Sequence, residues 1–266
     1  MSEIDPNRLI FVGGLHRSGT TALGRILADH PGVSGFQGTG AQEDEGQHLQ
    51  TVYKPARAYG GPGRFARHGA AHLTETSSPA ASVAATELLD RWSPHWDLDR
   101  PFLVEKSPPN MLMGRWLQTA FPGSGLIVIV RHPVVVALST KKWTRRTSLP
   151  RLVEHWFAAH DIVERDAQHL RRLLVIRYED LVRNPGQILD RVAGFVGLDT
   201  PLDAGRLQSS RSSRYVDAWS DMARGTVLER SRRLRIQRTY VDRALRYGYN
   251  LDDLEAIDPF EWPPIP

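Results

Sequence analysis

The sequence predicts an α/β fold, in which a parallel β-sheet carries helices on both faces. Short apolar runs alternate with helical patterns along the chain, as expected for strands that are joined by crossover helices. Polar residues follow the ends of four of these runs. Because ligands of such sheets bind where the strands end, these residues are expected to meet at one site.

The first strand, loop and helix are predicted to form a P-loop-type phosphate-binding unit. The apolar run Leu9–Val12 precedes a polar loop that ends at Gly19. Backbone N–H groups and the positive end of the following helix favour an anion there. The spacing of Gly14 and Gly19 matches a Walker A loop, but Thr20 replaces the expected lysine. Arg17 supplies a cation inside the loop instead, which argues against ordinary ATP or GTP hydrolysis.

Residues 33–75 have little periodicity and are rich in glycine, glutamine, histidine and charge. Long irregular segments inside compact domains tend to be binding loops or lids, so a functional loop region is predicted here. One short helix is predicted within it, near Gln47–Tyr53. An amphipathic helix is predicted over 80–92, and its shared apolar face consists of Val83, Leu88, Leu89 and Trp92.

Three more strands are predicted, over Phe102–Val104, 126–130 and Leu173–Ile176. They are followed by Lys106-Ser107, Arg131 and Arg177-Tyr178-Glu179, respectively. Helices are predicted over Met111–Ala120, 134–143, 151–170, Pro185–Val196 and 232–246. The last part, 200–266, is basic and is predicted to be a helical segment with a proline-rich, extended tail.

The composition indicates one domain over residues 1–266, with a sizeable core and 41% apolar residues. The net charge of +4 suits an anionic ligand, but it is spread along the chain and does not indicate nucleic acid. There is no cysteine, which excludes thiolate catalysis and Cys-ligated metals. No signal-peptide pattern and no apolar run of membrane-spanning length is present, so a cytoplasmic protein is expected.

Four motifs together resemble the sulfotransferases that use 3′-phosphoadenosine 5′-phosphosulfate (PAPS). In chain order they are FVGGLHRSGTTAL, EKSPP, VIVRHPVVVALS and VIRYEDLVRNP. The resemblance covers about residues 8–200. The motif order and the RSGTT loop are most similar to the tyrosylprotein sulfotransferases and related bacterial proteins, and EKSPP also resembles the carbohydrate branch. The resemblance implies the sulfotransferase fold.

The resemblance also implies roles for individual residues. Lys106 would stabilise the bridging oxygen as the sulfuryl group leaves. Arg17 stands where many members have lysine and would act by charge, because arginine does not give up its proton. No metal is required, and no metal site is expected. Arg17, Ser18, Gly19, Thr20 and Thr21 would hold the 5′-phosphosulfate, and Arg131 and Ser139 would hold the 3′-phosphate. Gly14, His16 and Tyr178 are further residues expected to bind the cofactor.

The general base is where the chain departs from the family pattern. An acceptor hydroxyl needs a group that takes its proton, but the family's acidic pair falls near Gln37-Gly38, which are not acids. We therefore expect Glu45 to be the base, followed by Glu43 and His48 as candidates. A solvated acidic loop without catalytic function is the alternative for this stretch.

The predicted function is transfer of a sulfuryl group from PAPS to a hydroxyl of a small molecule, sugar or phenol. Residues 33–75, here called the acceptor segment, are expected to select the acceptor. The alternatives are a P-loop kinase of a small metabolite and a non-catalytic nucleotide-binding module. The kinase would need the missing Walker lysine and an aspartate at a strand end.

Three further assignments remain open. The arginine run Arg224–Arg238 is either a solvated helix face or a cover for the 3′-phosphate. Core packing is favoured over ligand stacking for Trp143, Trp156 and Trp219. The oligomeric state is undetermined, with a homodimer as one alternative.

Overall fold

The computed structural model describes residues 4–144, 146–205, 207 and 213–259, and it confirms the predicted α/β fold. In this part of the chain five strands, all parallel, form one sheet. They are β1 (Leu9–Gly13), β2 (Val33–Gly35), β3 (Phe102–Lys106), β4 (Gly125–Val130) and β5 (Leu173–Arg177). Their order across the sheet is β2-β3-β1-β4-β5, which places β1 at the centre.

The described residues form nine α-helices. Within the same ranges, no helix has both the length and the apolar character needed to cross a membrane. The helices are α1 (Thr20–Ala28), α2 (Ala81–Trp92), α3 (Gly114–Ala120), α4 (Pro133–Lys141), α5 (Leu149–Ala167), α6 (Tyr178–Arg183), α7 (Pro185–Val196), α8 (Ser213–Arg224) and α9 (Val227–Leu245).

The sheet separates two apolar cores, as expected for strands that are buried on both faces. Leu9 and Phe11 of β1 belong to the larger core, which also contains buried residues of α2, α3, α4 and α5. Ile10 and Val12 point to the opposite face, where α1, α6 and α7 cover them. Because successive strand residues alternate between faces, neighbouring residues at a strand end also reach opposite sides of the sheet.

The register brings the polar strand ends together. Val12 of β1 pairs with Lys106 of β3, and Gly13 pairs with Val128 of β4. On the other side, Val130 pairs with Arg177. The anion loop after β1 therefore lies between Lys106 and the residues that follow β4 and β5, all at the carboxyl edge of the sheet.

The predicted short helix near Gln47–Tyr53 is wrong. The acceptor segment instead begins with β2 and continues through short 3₁₀ turns, one of them at Gly46–His48. Side chains replace helical acceptors here: Gln50 Oε1 accepts the Tyr53 N–H at 2.9 Å, and Glu105 Oε1 accepts the Gly46 N–H at 2.8 Å. A helix is therefore not needed to satisfy this backbone.

Other differences concern short or weakly apolar elements. Val83 does not share the buried face of α2, because its side chain is 73% exposed, whereas Leu88 and Trp92 are buried. β2, α6 and α8 are additional elements that were not predicted, and α9 begins at Val227, five residues before the predicted start at 232. The proline-rich tail beyond residue 259 lies outside the described residues.

Replacing Trp92 by alanine should destabilise the fold strongly. Its ring is fully buried near Phe11, with centroids 6.1 Å apart, and its Nε1 donates to the Gly46 carbonyl at 3.1 Å. Loss of such a side chain typically costs about 3–5 kcal/mol, measurable by urea unfolding. Trp143, which is 58% exposed, provides a matched control. Its replacement by alanine should change stability by about 0.5 kcal/mol or less, and equal losses for both variants would contradict the core assignment.

Candidate functional site

A cavity of about 280 Å³ lies at the carboxyl edge of the sheet and collects most of the predicted site residues. Gly14, Ser18, Ser139 and Lys106 do not line it directly. Ser139 and Lys106 contact lining residues, as described below. The predicted residues in its wall are His16, Arg17, Gly19, Thr20, Thr21, Glu43, Glu45, His48, Arg131 and Tyr178.

The loop between β1 and α1 is held in a conformation that glycine and internal hydrogen bonds make accessible. Gly19 has a φ of +110°, and a Cβ there would lie 2.6 Å from the Tyr178 ring. Arg17 also has a positive φ, 74°, which is strained for a side-chain-bearing residue. The Ser18 hydroxyl donates to the Leu15 carbonyl at 2.6 Å. Ser18 thus braces the loop, while first-turn N–H groups of α1 remain without helical acceptors.

Arg17 is fixed by partners from two other elements. Its Nε donates to Ser139 Oγ at 2.8 Å, and its guanidinium lies 4.8 Å from the centroid of the Trp143 ring. The favoured core packing of Trp143 is wrong: the side chain is largely exposed and lines the cavity. Trp156 and Trp219, in contrast, are buried, as expected.

A second cationic group lies beside the loop at Arg131. Its Nη1 donates to the Arg17 carbonyl at 2.9 Å, and its guanidinium lies 4.1 Å from the centroid of the Tyr178 ring. Ser139 Oγ, which binds Arg17, also accepts the Tyr215 hydroxyl at 2.9 Å. Arg17, Arg131 and Ser139 therefore form one connected group on the α4 side of the cavity.

The third cation, Lys106, lies at the end of β3 and is largely buried. Its Nζ is 3.1 Å from Glu45 Oε1 and donates to the Glu43 carbonyl at 2.9 Å. Burial raises the pKa of the Glu45 carboxyl, and the charge of Lys106 opposes this shift. The structure thus brings a buried carboxylate and a buried ammonium group together at the end of β3.

The other two base candidates are placed differently. Glu43 is exposed, has a φ of 55° and contacts Lys106 through its backbone carbonyl. His48 Nε2 lies 3.8 Å from Glu45 Oε2. Burial lowers the pKa of His48, and the charges of Arg57 and Lys106 lower it further, which favours a neutral imidazole.

His16 lies at the inner wall of the cavity. Its ring packs edge-on against Phe65, with centroids 5.5 Å apart, and its buried Nδ1 has no hydrogen-bond partner among the described residues. Burial lowers the pKa of His16 to about 4, with smaller contributions from the charges of Lys106 and His48. His16 is therefore a neutral group at ordinary pH.

Several residues of the cavity were not predicted from the sequence. Tyr215 and Arg214 come from α8, where the Arg214 Nη2 donates to the Tyr215 hydroxyl at 2.8 Å. No pattern in the sequence predicts them, because they reach the cavity through long-range packing. No residue of the arginine run Arg224–Arg238 lines the cavity, and Arg233 instead donates to the Trp219 carbonyl. The remaining missed lining residues are Ala22, Gln42, Gln47, Ala56, Arg57, Pro62, Pro108 and Trp143.

The geometry defines a cationic cavity at the carboxyl edge of a parallel sheet, with an anion loop and a buried Lys–Glu pair beside it, and comparison with known proteins gives the family. The model of the Sulfotransferase family matches residues 9–202, and the chain belongs to this family. Protein-tyrosine sulfotransferase 2 of Gallus gallus is 26% identical over 199 residues. That alignment covers 71% of this chain, which spans about half (51%) of the relative's length.

The chain is also similar to solved structures, the first of which supports the fold. The sulfotransferase domain of the Synechococcus PCC 7002 olefin synthase has a TM-score of 0.50 and 21% identity, with 82% of each chain covered. A sulfotransferase from Alicyclobacillus acidocaldarius has a TM-score of 0.47 and 15% identity, covering 90% of this chain and 96% of that one.

His132, next to Arg131, should make stability depend on pH. Its Nδ1 accepts the Val134 N–H at 3.2 Å, so Nε2 carries the proton and donates to the Asn250 carbonyl at 3.1 Å. Burial lowers the pKa of His132 from 6.5 to about 4. The stability that depends on neutral His132 is therefore complete above pH 6.5 and is lost as the pH falls towards 4.

Replacement of His132 by asparagine keeps an acceptor for the cap of α4 but removes this titration. Between about pH 7 and about pH 5, the unfolding free energy of the wild type should fall by about 2 kcal/mol more than that of His132→Asn. Urea unfolding at both pH values measures the difference, and the other histidines cancel because both proteins contain them. Parallel pH dependences would refute the assignment.

Proposed function

We propose that this protein transfers a sulfuryl group from PAPS to a hydroxyl group of a small-molecule, sugar or phenol acceptor. The observation that carries the proposal is that the anion loop, Arg131 and Glu45 line one cavity, and that Lys106 binds Glu45 at 3.1 Å. Family membership supports the reaction type. The chain covers about half of its curated relative, so its acceptor does not follow from that relative's name.

The residues present fit a nucleotide that carries two separate anionic groups. The start of α1, with Thr20 and Thr21 in the cavity wall, offers N–H groups and hydroxyls beside Arg17. Arg131 offers a second guanidinium, and Arg214 lies in the wall nearby. We assign the first group to the 5′-phosphosulfate and Arg131, with Ser139, to the 3′-phosphate. PAPS supplies the activated sulfuryl group.

The protein's own residues would contribute charge, position and proton transfer. Lys106 provides a buried ammonium that stabilises negative charge developing on the leaving oxygen. Glu45 takes the proton of the acceptor hydroxyl, and the raised pKa that burial gives its carboxyl makes it a stronger base. Arg17 acts by charge alone. Transfer of this type depends mainly on positioning and electrostatic stabilisation.

The two alternatives have less support. A P-loop kinase would require a lysine after Gly19, but Thr20 occupies that position and opens α1. A non-catalytic nucleotide-binding module would have no use for a buried ion pair, which is costly to desolvate, beside the anion loop. Lys106 and Glu45 form such a pair at 3.1 Å. These observations favour a transferase.

Ligand binding and transfer can be tested with the wild-type protein. We expect 3′-phosphoadenosine 5′-phosphate to raise the melting temperature clearly more than ATP with magnesium, because binding to the folded state shifts unfolding. A screen with sulfur-labelled PAPS against sugars, phenols and small alcohols should then yield a labelled product. Stabilisation by ATP with magnesium alone, or no transfer to any acceptor class, would refute the proposed function.

Arg131→Ala should specifically weaken recognition of the 3′-phosphate. Charge-assisted hydrogen bonds contribute about 1.5–3 kcal/mol, so affinity for 3′-phosphoadenosine 5′-phosphate should fall by about 10- to 100-fold. Affinity for adenosine 5′-monophosphate, measured in parallel by calorimetry, should change far less. Arg230→Ala, in the exposed part of α9, is the matched control and should affect neither ligand. Equal losses for both nucleotides would contradict the role of Arg131.

A further inference from the structure

A buried carboxylate lies immediately before Lys106 and has no role in the reaction described above. Glu105 is only 1% exposed. Its Oε1 accepts the Gly46 N–H at 2.8 Å and the Ser107 hydroxyl at 2.5 Å, and its Oε2 accepts Asn110 Nδ2 at 2.5 Å. The carboxylate is thus fully supplied with donors, one of which comes from the acceptor segment.

Ser107 extends this contact by one residue. While its hydroxyl donates to Glu105, its oxygen accepts the Gln47 N–H at 3.0 Å. Glu105 and Ser107 therefore bind the N–H groups of two consecutive residues that directly follow Glu45. The Gln47 side chain contacts Glu45 as well, because its Nε2 donates to Glu45 Oε2 at 2.5 Å.

The opposite side of β3 holds the same stretch of chain. Lys106 points away from Glu105, as strand alternation requires. Its Nζ contacts the Glu43 carbonyl and the Glu45 carboxylate. The carboxyl end of β3 therefore binds residues 43–47 through Lys106 on one face of the sheet and through Glu105 and Ser107 on the other. Glu45 lies between the two sets of contacts.

Gly46 shows that this approach is close. A Cβ at this position would lie 2.5 Å from both Cγ and Oε1 of Glu105. Its carbonyl is bound as well, by Trp92 Nε1. Only glycine allows the acceptor segment to come this near to the carboxylate.

A buried carboxylate that holds a loop carries a large desolvation penalty. Burial raises the pKa of Glu105 to about 7, although its three hydrogen-bond partners act in the opposite direction. Well-packed apolar residues often replace buried charged groups without loss of stability. Stability alone therefore gives no reason for Glu105, whereas exact placement of the neighbouring Glu45 does.

We propose that Glu105 is a positioning residue, which acts with Ser107 through the Gly46 and Gln47 N–H groups to fix Glu45 against Lys106 for proton transfer. The inference rests on the proposed function, because it assigns Glu45 as the base. It adds a residue that touches neither the donor nor the acceptor.

Three variants separate the contacts. Glu105→Ala removes all of them, and Ser107→Ala is a milder change that removes the contact to Gln47. Glu105→Gln can keep the two contacts that reach the acceptor segment, because its oxygen can accept from Gly46 and Ser107. Its amide can donate to Asn110 Oδ1 only if the Asn110 amide turns over, which removes the Asn110 bond to the Val12 carbonyl. The control is Asp166→Asn. Asp166 is a buried carboxylate that binds His72 and Arg115 and does not line the cavity.

Two measurements report on the role. Hydrogen exchange should show that the amides of Gly46 and Gln47 lose protection by about tenfold or more in Glu105→Ala and partly in Ser107→Ala. Steady-state transfer from labelled PAPS should show kcat reduced by about 100-fold in Glu105→Ala, the range expected when a general base is misplaced. The KM for PAPS and the affinity for 3′-phosphoadenosine 5′-phosphate should stay within about twofold, since the donor loop is untouched.

Rescue and non-additivity complete the test. Glu105→Gln should keep protection and most of kcat, and adding Glu105→Ala to Glu45→Gln should cause little further loss, because the two residues act through one group. The positioning role is overturned if Glu105→Ala or Ser107→Ala exposes these amides without lowering kcat. It is also overturned if the kcat losses of Glu105→Ala and Glu45→Gln are additive, or if Asp166→Asn lowers kcat as much as Glu105→Ala does. A wild type that transfers no sulfuryl group to any acceptor refutes the proposed function itself.

Discussion

The buried ion pair of Lys106 and Glu45 is the interaction on which the arrangement of the site depends. At 3.1 Å it joins the end of a core strand to a segment that has little regular structure of its own. A buried charge that loses its partner costs several kcal/mol, so each residue constrains the other. The sheet therefore determines the position of Lys106, and Lys106 in turn limits where the acceptor segment can lie.

The rest of the cavity follows the same principle of rigid elements that hold polar side chains. Arg17 lies in the loop after β1. Ser139 of α4 accepts the hydrogen bond from its Nε, and the Tyr215 hydroxyl of α8 donates to Ser139. Arg131 follows β4 and donates back to the Arg17 carbonyl. Three separate elements thus fix one cation, which reduces the reorganisation that anion binding requires.

Local chemistry explains what the sequence could predict. The strand, loop and helix over Leu9–Ala28 and the polar ends of β3, β4 and β5 depend on neighbouring residues and on alternation, which are visible in a single chain. Tyr215 and Trp143 could not be placed, because their positions depend on packing between distant elements. The same holds for Gly46, whose turn is fixed by Glu105, 59 residues further along the chain.

The ion pair also has a consequence for how the two halves of the proposed reaction are coupled. Desolvation raises the pKa of the Glu45 carboxyl, and the charge of Lys106 is the largest influence that lowers it. An anionic leaving oxygen competes with Glu45 for the same ammonium. As negative charge develops on that oxygen, Lys106 neutralises the Glu45 carboxylate less. The proton affinity of Glu45 therefore rises at the moment when the acceptor hydroxyl must lose its proton. A buried pair beside the anion loop can therefore link departure of the leaving group to activation of the acceptor, provided that Glu45 stays in place while its partner is drawn away. The hydrogen bonds from Gly46 and Gln47 to Glu105 and Ser107 supply that restraint, because they do not involve Lys106.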